Sequence, residues 1–221
     1  MRLLRANAAA TTTRSLQGLA LLAVSFVATV PASAQTLSNV VQIEEHWELQ
    51  VAQPEEDLSA PQTTMVMSPI GDLSDAHFLF ILNHVNAPGF ESGGMQAQYW
   101  DGDNLVSEAV ASETATLATS GETIRWVQRM TVNDGTLTFE VINGESGTWG
   151  QFGGAELSFS VPTSLNKLNG YSTGVSIGES QVSYAENRVT SLVLTKLRWT
   201  KANGQTFEYN APIPVDVSLD E

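Results

Sequence analysis

From Asn39 onward, apolar and polar residues alternate with a period close to two, and turn-forming residues break the alternation at short intervals. That pattern leaves no place for a long amphipathic helix. In the run Val41 to Val51, one alternation holds Val41, Ile43, Glu45, Trp47, Leu49 and Val51, and the other holds Gln42, Glu44, His46, Glu48 and Gln50. Successive side chains of a strand point to opposite faces, so the segment predicts one apolar face with a single carboxyl and one wholly polar face. His77 to Asn83 is apolar on both alternations, Phe78, Phe80 and Leu82 against Leu79 and Ile81, which predicts a central strand covered on both sides. Gly94 to Trp100 and Asn104 to Val110 flank Asp101-Gly102-Asp103, and Glu122 to Val132 and Thr136 to Ile142 flank Asn133-Asp134-Gly135. Both spacers carry hairpin-turn chemistry. Val189 to Thr200 predicts a long late strand, and no repeat of propeller-blade length is visible. The expected fold is all-β, a two-sheet antiparallel β-sandwich or jelly roll.

The amino-terminal segment departs from this pattern. Arg2, Arg5 and Arg14 precede an apolar run from Leu19 to Val30, followed by Pro31-Ala32-Ser33-Ala34. A basic start, an apolar stretch too short to span a bilayer and an Ala-x-Ala site predict a secretory signal over residues 1–34, cleaved after Ala34. A single sandwich domain is then expected over residues 35–210, with Gln53 to Pro61 as an exposed loop. Residues 211–221 are expected to form an acidic, proline-containing tail that packs loosely. The expected location is outside the cytoplasm, periplasmic or extracellular in a bacterium, with no membrane span once the signal is removed.

Charge and composition narrow the chemistry. The chain has 10 Lys+Arg against 24 Asp+Glu and no cysteine. Loss of the three early arginines leaves seven bases against the same 24 acids. Such a surface repels phosphate, so nucleic acid is not an expected partner. Without cysteine there is no disulfide scaffold, thiolate zinc site, iron–sulfur cluster or cysteine nucleophile. His46, His77 and His84 lack metalloprotease spacing, and no Gly-x-Ser-x-Gly elbow occurs.

Two segments resemble a known superfamily. Glu122 to Gly144 carries a Trp126-bearing strand, an Asp134-Gly135 turn and a second strand ending in Asn143-Gly144. It is similar to a recurring hairpin of the concanavalin A-like lectin/glucanase sandwiches. Arg188 to Trp199 resembles the closing strand of the same fold. The resemblance implies a curved sandwich whose concave face commonly meets carbohydrate, on a fold that also hosts glycosidases, lyases and structural modules.

Several side chains are candidates for chemistry. Glu44, His46 and Glu48 share a strand face and are similar to the Glu-x-Asp-x-Glu strand of family 16 glycosidases, with His46 in place of the central acid. The Cα atoms of Glu44 and Glu48 are expected ~13 Å apart at ~3.3 Å per residue. A retaining pair requires its carboxyls ~5–5.5 Å apart. A solvated polar face is the competing reading, under which Glu44→Gln or Glu48→Gln leaves activity intact. Glu45, on the apolar alternation, requires a partner if buried. Arg125, Arg129 or Arg198 would serve, as would protonation of the carboxyl; an edge position open to water or a functional role are the alternatives.

Asp101, Asp103 and Asn104 offer oxygen ligands of calcium-like composition, but a full site needs more oxygens, the acid that closes an EF-hand is missing, and a hairpin turn is the preferred account of these residues. No other cofactor is implied. The loop Gly147 to Gly154 holds Trp149 and Phe152 between glycines, where exposed aromatics would stack on sugar rings; the competing reading is that each folds back to plug the end of the sandwich. Trp100 and Tyr171 could act the same way. Gln96, Gln98 and Trp100 share one alternation, as do Arg125 and Arg129, so together they would line a polar groove with an aromatic end. The leading expectation is a secreted, non-catalytic module binding carbohydrate or another surface ligand. The alternatives are a polysaccharide hydrolase or lyase using Glu44, His46 and Glu48, and a structural or adhesive surface protein.

Overall fold

The structure, a computed structural model, describes residues 39–52, 62–83, 85–86, 91–117, 119, 121–178 and 189–217. The expected signal over 1–34, the whole loop from Gln53 to Pro61, and His84 lie outside the described residues. The strands are β1 (Val40–Val51), β2 (Gln62–Ser68), β3 (Ala76–Leu82), β4 (Val85–Asn86), β5 (Glu91–Ser92), β6 (Met95–Asp101), β7 (Asn104–Val110) and β8 (Thr123–Asn133). They continue with β9 (Thr136–Ser146), β10 (Gly150–Phe152), β11 (Ser158–Pro162), β12 (Ser172–Gly178), β13 (Val189–Lys201), β14 (Thr206–Tyr209) and β15 (Ile213–Pro214). Apart from one 3-10 turn at Gly154–Leu157, no helix occurs among the described residues.

The protein is an all-β, two-sheet antiparallel sandwich. The larger sheet runs β10-β9-β8-β1-β13-β14, with β11 also pairing β9 and β15 also pairing β13. The smaller runs β12-β2-β3-β6-β7, which makes β3 the central strand that its two apolar alternations predict. Its Phe78, Phe80 and Leu82 face the core, while Leu79 and Ile81 form a second apolar cluster with Val66 on the outer side. Both expected hairpins form, β6 with β7 and β8 with β9. Asp134 and Gly135 take φ of 46° and 73°, the left-handed pair that a two-residue turn of matching twist needs.

Aromatic rings fill the space between the sheets. Phe78 of the smaller sheet stacks on Phe139 of the larger with centroids 4.9 Å apart, and Phe80 meets Trp126 at 5.9 Å. Trp47 and Trp126, cross-strand partners on β1 and β8, stack at 6.4 Å. The connection from β11 to β12 is drawn under the sandwich end. Leu168 donates its amide to the Val40 carbonyl at 2.7 Å, and Asn169 Oδ1 accepts from the Val40 amide at 3.0 Å. Gly71 and Gly170 allow a backbone approach here, since a Cβ on Gly71 would lie 2.7 Å from the Gly170 oxygen. This approach holds Tyr171 beneath β1. The carboxyl-terminal segment packs more closely than its composition predicts: Ile213 and Pro214 pair with Leu194 and Val193, and the Val215 amide donates to the Leu192 carbonyl at 2.8 Å.

Candidate functional site

Glu45 lies in the middle of β1 on the alternation of Ile43, Trp47 and Leu49, and is fully buried. Its register partner on β8 is Gln128, also fully buried, which interrupts the apolar alternation Ile124, Trp126, Met130 and Val132. The two strands thus each contribute one polar side chain to the same point of an otherwise apolar interior. Gln128 Nε2 donates to Glu45 Oε2 at 2.5 Å, and the Trp47 indole donates to the same oxygen at 2.7 Å. From the other side the Tyr171 hydroxyl donates to Glu45 Oε1.

Burial pushes the Glu45 carboxyl above its ordinary value, against the opposing pull of Tyr171, Trp47, Thr173 and Gln128. Burial, with the Glu45 charge alongside, likewise raises the Tyr171 phenol well above its usual range. None of the three arginines reaches Glu45; its partners are the neutral donors Gln128, Trp47 and Tyr171. The carbonyl oxygen of Gln128 is buried with no hydrogen-bond partner in the structure. A buried polar atom without a partner is costly and calls for a specific explanation. Trp47 and Thr173 also line a small apolar cleft completed by Val175, Leu194, Ile213 and Val215.

The other expected site residues fall elsewhere. Glu44, His46 and Glu48 occupy the outer face of the larger sheet. Glu44 accepts from Arg129 at 3.4 Å and Arg198 at 3.3 Å, and Glu48 accepts from Arg125 at 2.7 Å. Arg125 continues to Glu145, Arg129 to Glu140, and Arg198 lies 3.7 Å from Glu208. These carboxylates are neutralised in pairs, and burial together with Lys196 lowers the His46 pKa. Glu44 is nearly buried within its ion pairs, while His46 and Glu48 are half-buried.

Gln96, Gln98 and Trp100 do share a face, but it is the outer face of the smaller sheet. Their polar atoms satisfy one another: Trp100 Nε1 donates to Gln98, Gln98 to Gln96, and Gln96 to Glu108, at 2.8, 3.0 and 2.8 Å. Arg125 and Arg129 belong to the opposite side of the molecule, so the expected common groove does not form. Asp101 and Asp103 sit in the β6–β7 turn, where Asn104 Nδ2 donates to the Asp101 carbonyl at 3.3 Å. Among the described residues, no group of three or more His, Asp or Glu side chains is placed to hold a metal ion. No helix among them is long and apolar enough to cross a membrane.

The aromatic loop is also reassigned. Trp149 is buried, its indole donating to the Ala115 carbonyl at 2.7 Å, and its ring meets Phe152 edge-on at 6.2 Å. Phe152 in turn lies over Phe80 at 6.4 Å and against Gly144. Trp149 is therefore closed to a sugar, while Phe152 is half-buried with its ring packed onto the core. Tyr171 is spent on Glu45 in the same way.

No family model and no curated protein matches the chain. Among solved structures it is similar to scytalido-glutamic peptidase with a peptide-based transition state analog, at 14% identity and TM-score 0.41. It is also similar to SCP-B, a member of the eqolisin family of peptidases, in complex with the tripeptide Ala-Ile-His, at 12% identity and TM-score 0.42. Each likeness covers 83% of this chain and 84% of the other. The expectation of a non-catalytic carbohydrate- or surface-ligand-binding module is corrected: the loop aromatics that carried it pack onto the core, Trp149 buried and Phe152 half-buried against it.

The sequence does hold a signal for the Glu45 and Gln128 pair that the motif reading missed. Each is a lone polar residue on the apolar alternation of a long strand. Two such interruptions within one sheet are a reason to ask whether they meet.

Proposed function

We propose that the protein is a hydrolase of acyl bonds, peptide amides foremost, in which Glu45 is the general acid and base and Gln128 its polar partner. The observation that carries this reading is a fully buried carboxyl with a raised pKa, held against a primary amide whose carbonyl oxygen has no partner. It does not rest on the distant likeness to peptidases. None of the hydrogen-bond partners of Glu45 is a carboxyl. Glycoside hydrolysis canonically needs a second carboxyl ~5–5.5 Å or ~6.5–9.5 Å away. Acyl hydrolysis needs only one. Ionised Glu45 takes a proton from water as the water oxygen bonds to the carbonyl carbon, and a Gln128 N–H donates to the oxyanion that develops. Protonated Glu45 then returns the proton to the leaving nitrogen as the carbon–nitrogen bond breaks. A carboxyl with a raised pKa suits both halves of that exchange near mildly acidic pH. The basic and apolar amino terminus supports action outside the cytoplasm.

The test is incubation of the mature chain from Gln35 with an unfolded protein substrate from pH 2 to 8, counting new amino termini. Glu45→Gln is expected to lower turnover ~10²–10⁴-fold, the usual worth of a general acid–base. Gln128→Ala should lower it ~10²–10³-fold, as for loss of an oxyanion donor. An inactive wild-type chain, or an active Glu45→Gln variant, would reject the proposal.

A further inference from the structure

Among the described residues, the large apolar side chains left open to solvent are Ile70, Leu105, Val106 and Val110, and all but Ile70 stand on β7. β7 is an edge strand, paired with β6 on one side and with no strand on the other. None of its residues is buried. A free edge presents a row of backbone N–H and C=O groups, which soluble proteins blunt with lysine, proline or a bulge. β7 contains neither lysine nor proline, and its single register shift, at Val106, leaves Ser107 to Val110 in regular pairing.

The charges around this edge have one sign. Asp101, Asp103, Glu108 and Glu113 are exposed, and none is in an ion pair among the described residues. No lysine or arginine occurs from Ser15 to Ile124 or within β12, so the smaller sheet carries no base. The bases on strands, Arg125, Arg129, Lys196, Arg198 and Lys201, all belong to β8 and β13 of the larger sheet. Two copies joined through β7 would set these four acids of one against those of the other, and like charges facing across a strand pair are destabilising. The edge therefore suits a strand of opposite charge.

We infer that β7 docks an extended cationic segment of another protein, which adds to the five-stranded sheet as a sixth strand. Backbone pairing gives such addition its affinity, and the side chains at alternate positions give its selectivity. Val106, Glu108 and Val110 recur at every second position and are all exposed. A complementary strand therefore reads apolar, basic, apolar on one alternation, with further bases at its ends toward Asp101, Asp103 and Glu113.

The probe is a fluorescein-labelled peptide of sequence lysine-valine-threonine-lysine-threonine-valine-lysine, blocked at both ends. It is titrated with the full mature chain at pH 7 and about 0.15 M salt, where charges beyond ~8 Å are largely screened. One control peptide has glutamate for lysine; the other keeps every side chain but is N-methylated at its internal amides, so that it cannot pair as a strand. The lysine peptide should bind at least about tenfold tighter than either control and slow deuterium exchange across residues 104–110. Val106→Lys with Val110→Lys should weaken it by at least about tenfold. Ala202→Lys with Gln205→Lys adds the same charge in the turn between β13 and β14, at the other edge of the larger sheet, and should leave binding unchanged. Far-UV circular dichroism confirms that each variant folds. No binding of the lysine peptide, equal binding of its N-methylated form, or binding that survives the two β7 lysines overturns the inference. A chain that sediments alone as a dimer, and as a monomer with those lysines, gives the edge to a second copy and overturns it too. Docking does not involve Glu45, so Glu45→Gln should bind the peptide as the wild type does, and failure of the hydrolase reading leaves this inference standing.

Discussion

At Gly144 a single missing Cβ decides where a loop goes. A Cβ built there would meet the Phe152 ring at 2.3 Å, and Trp149 and Phe80 pack against that ring. Gly144→Ala should cost ~1–3 kcal/mol by overpacking. A domain of this size loses roughly 2–4 °C of melting midpoint per kcal/mol. An unchanged midpoint would show that the ring does not lie on Gly144. Glu45 offers a second measurement at this scale. Its carboxyl is raised in the folded protein by burial, so its favourable contribution is complete below the unfolded carboxyl's pKa and is lost as pH rises through the folded one. Asp72 and Glu122, lowered by hydrogen bonds, act in the opposite sense, gaining with pH. Both remain in a Glu45→Gln variant. The difference in melting midpoint, wild type minus Glu45→Gln, should therefore fall steadily from pH 3 to pH 8. A difference that stays level would mean that Glu45 titrates as an ordinary carboxyl.

Across whole strands, register is what sorts the carboxylates. Glu44 is paired with Arg129 on β8 and Arg198 on β13, and those arginines are paired with Glu140 on β9 and Glu208 on β14, so charges alternate along one row across five strands. Glu44 is nearly buried at 7% side-chain exposure, while the Arg125 that holds Glu48 is 53% exposed. Glu44→Gln should cost on the order of 1–3 kcal/mol, between the exposed and buried cases, and Glu48→Gln less than about 1 kcal/mol. Both variants should cleave peptide at the wild-type rate, which paired melts and turnover assays would check.

Strand faces were legible in the chain itself, because period-two alternation is a local property. It correctly turned Glu44 and Glu48 outward and Glu45 inward, and the Asp-Gly and Asn-Asp-Gly turns marked both hairpins. What lay opposite Glu45 was not legible. Gln128 is distant from it in sequence, and only the pairing of β1 with β8 brings the two together. Trp149 and Phe152 misled for the same reason, since the cover over them comes from Ala115, Phe80 and Gly144, which no local pattern identifies.

Over the molecule as a whole, charge and the buried pair make separable claims on activity. If ionised Glu45 is the base, the acid limb of kcat/KM reports its pKa in the free protein, which burial raises, so the limb should lie above the ordinary glutamate range and vanish in Glu45→Gln. The surface acts differently. With 24 acids in the sequence and seven bases left after Ala34, the field repels anionic peptides and attracts cationic ones. That field reaches ~30 Å at 0.01 M salt and ~3 Å at 1 M. Two versions of one peptide, flanked by lysine or by glutamate, should differ most in kcat/KM at low salt. Added salt should slow cleavage of the first, speed that of the second and bring the two together. Lowering the pH until the ordinary carboxyls protonate should collapse the difference without salt, because the field is then gone. A lysine-to-glutamate ratio that does not change with salt would mean that the site is shielded from the surface field.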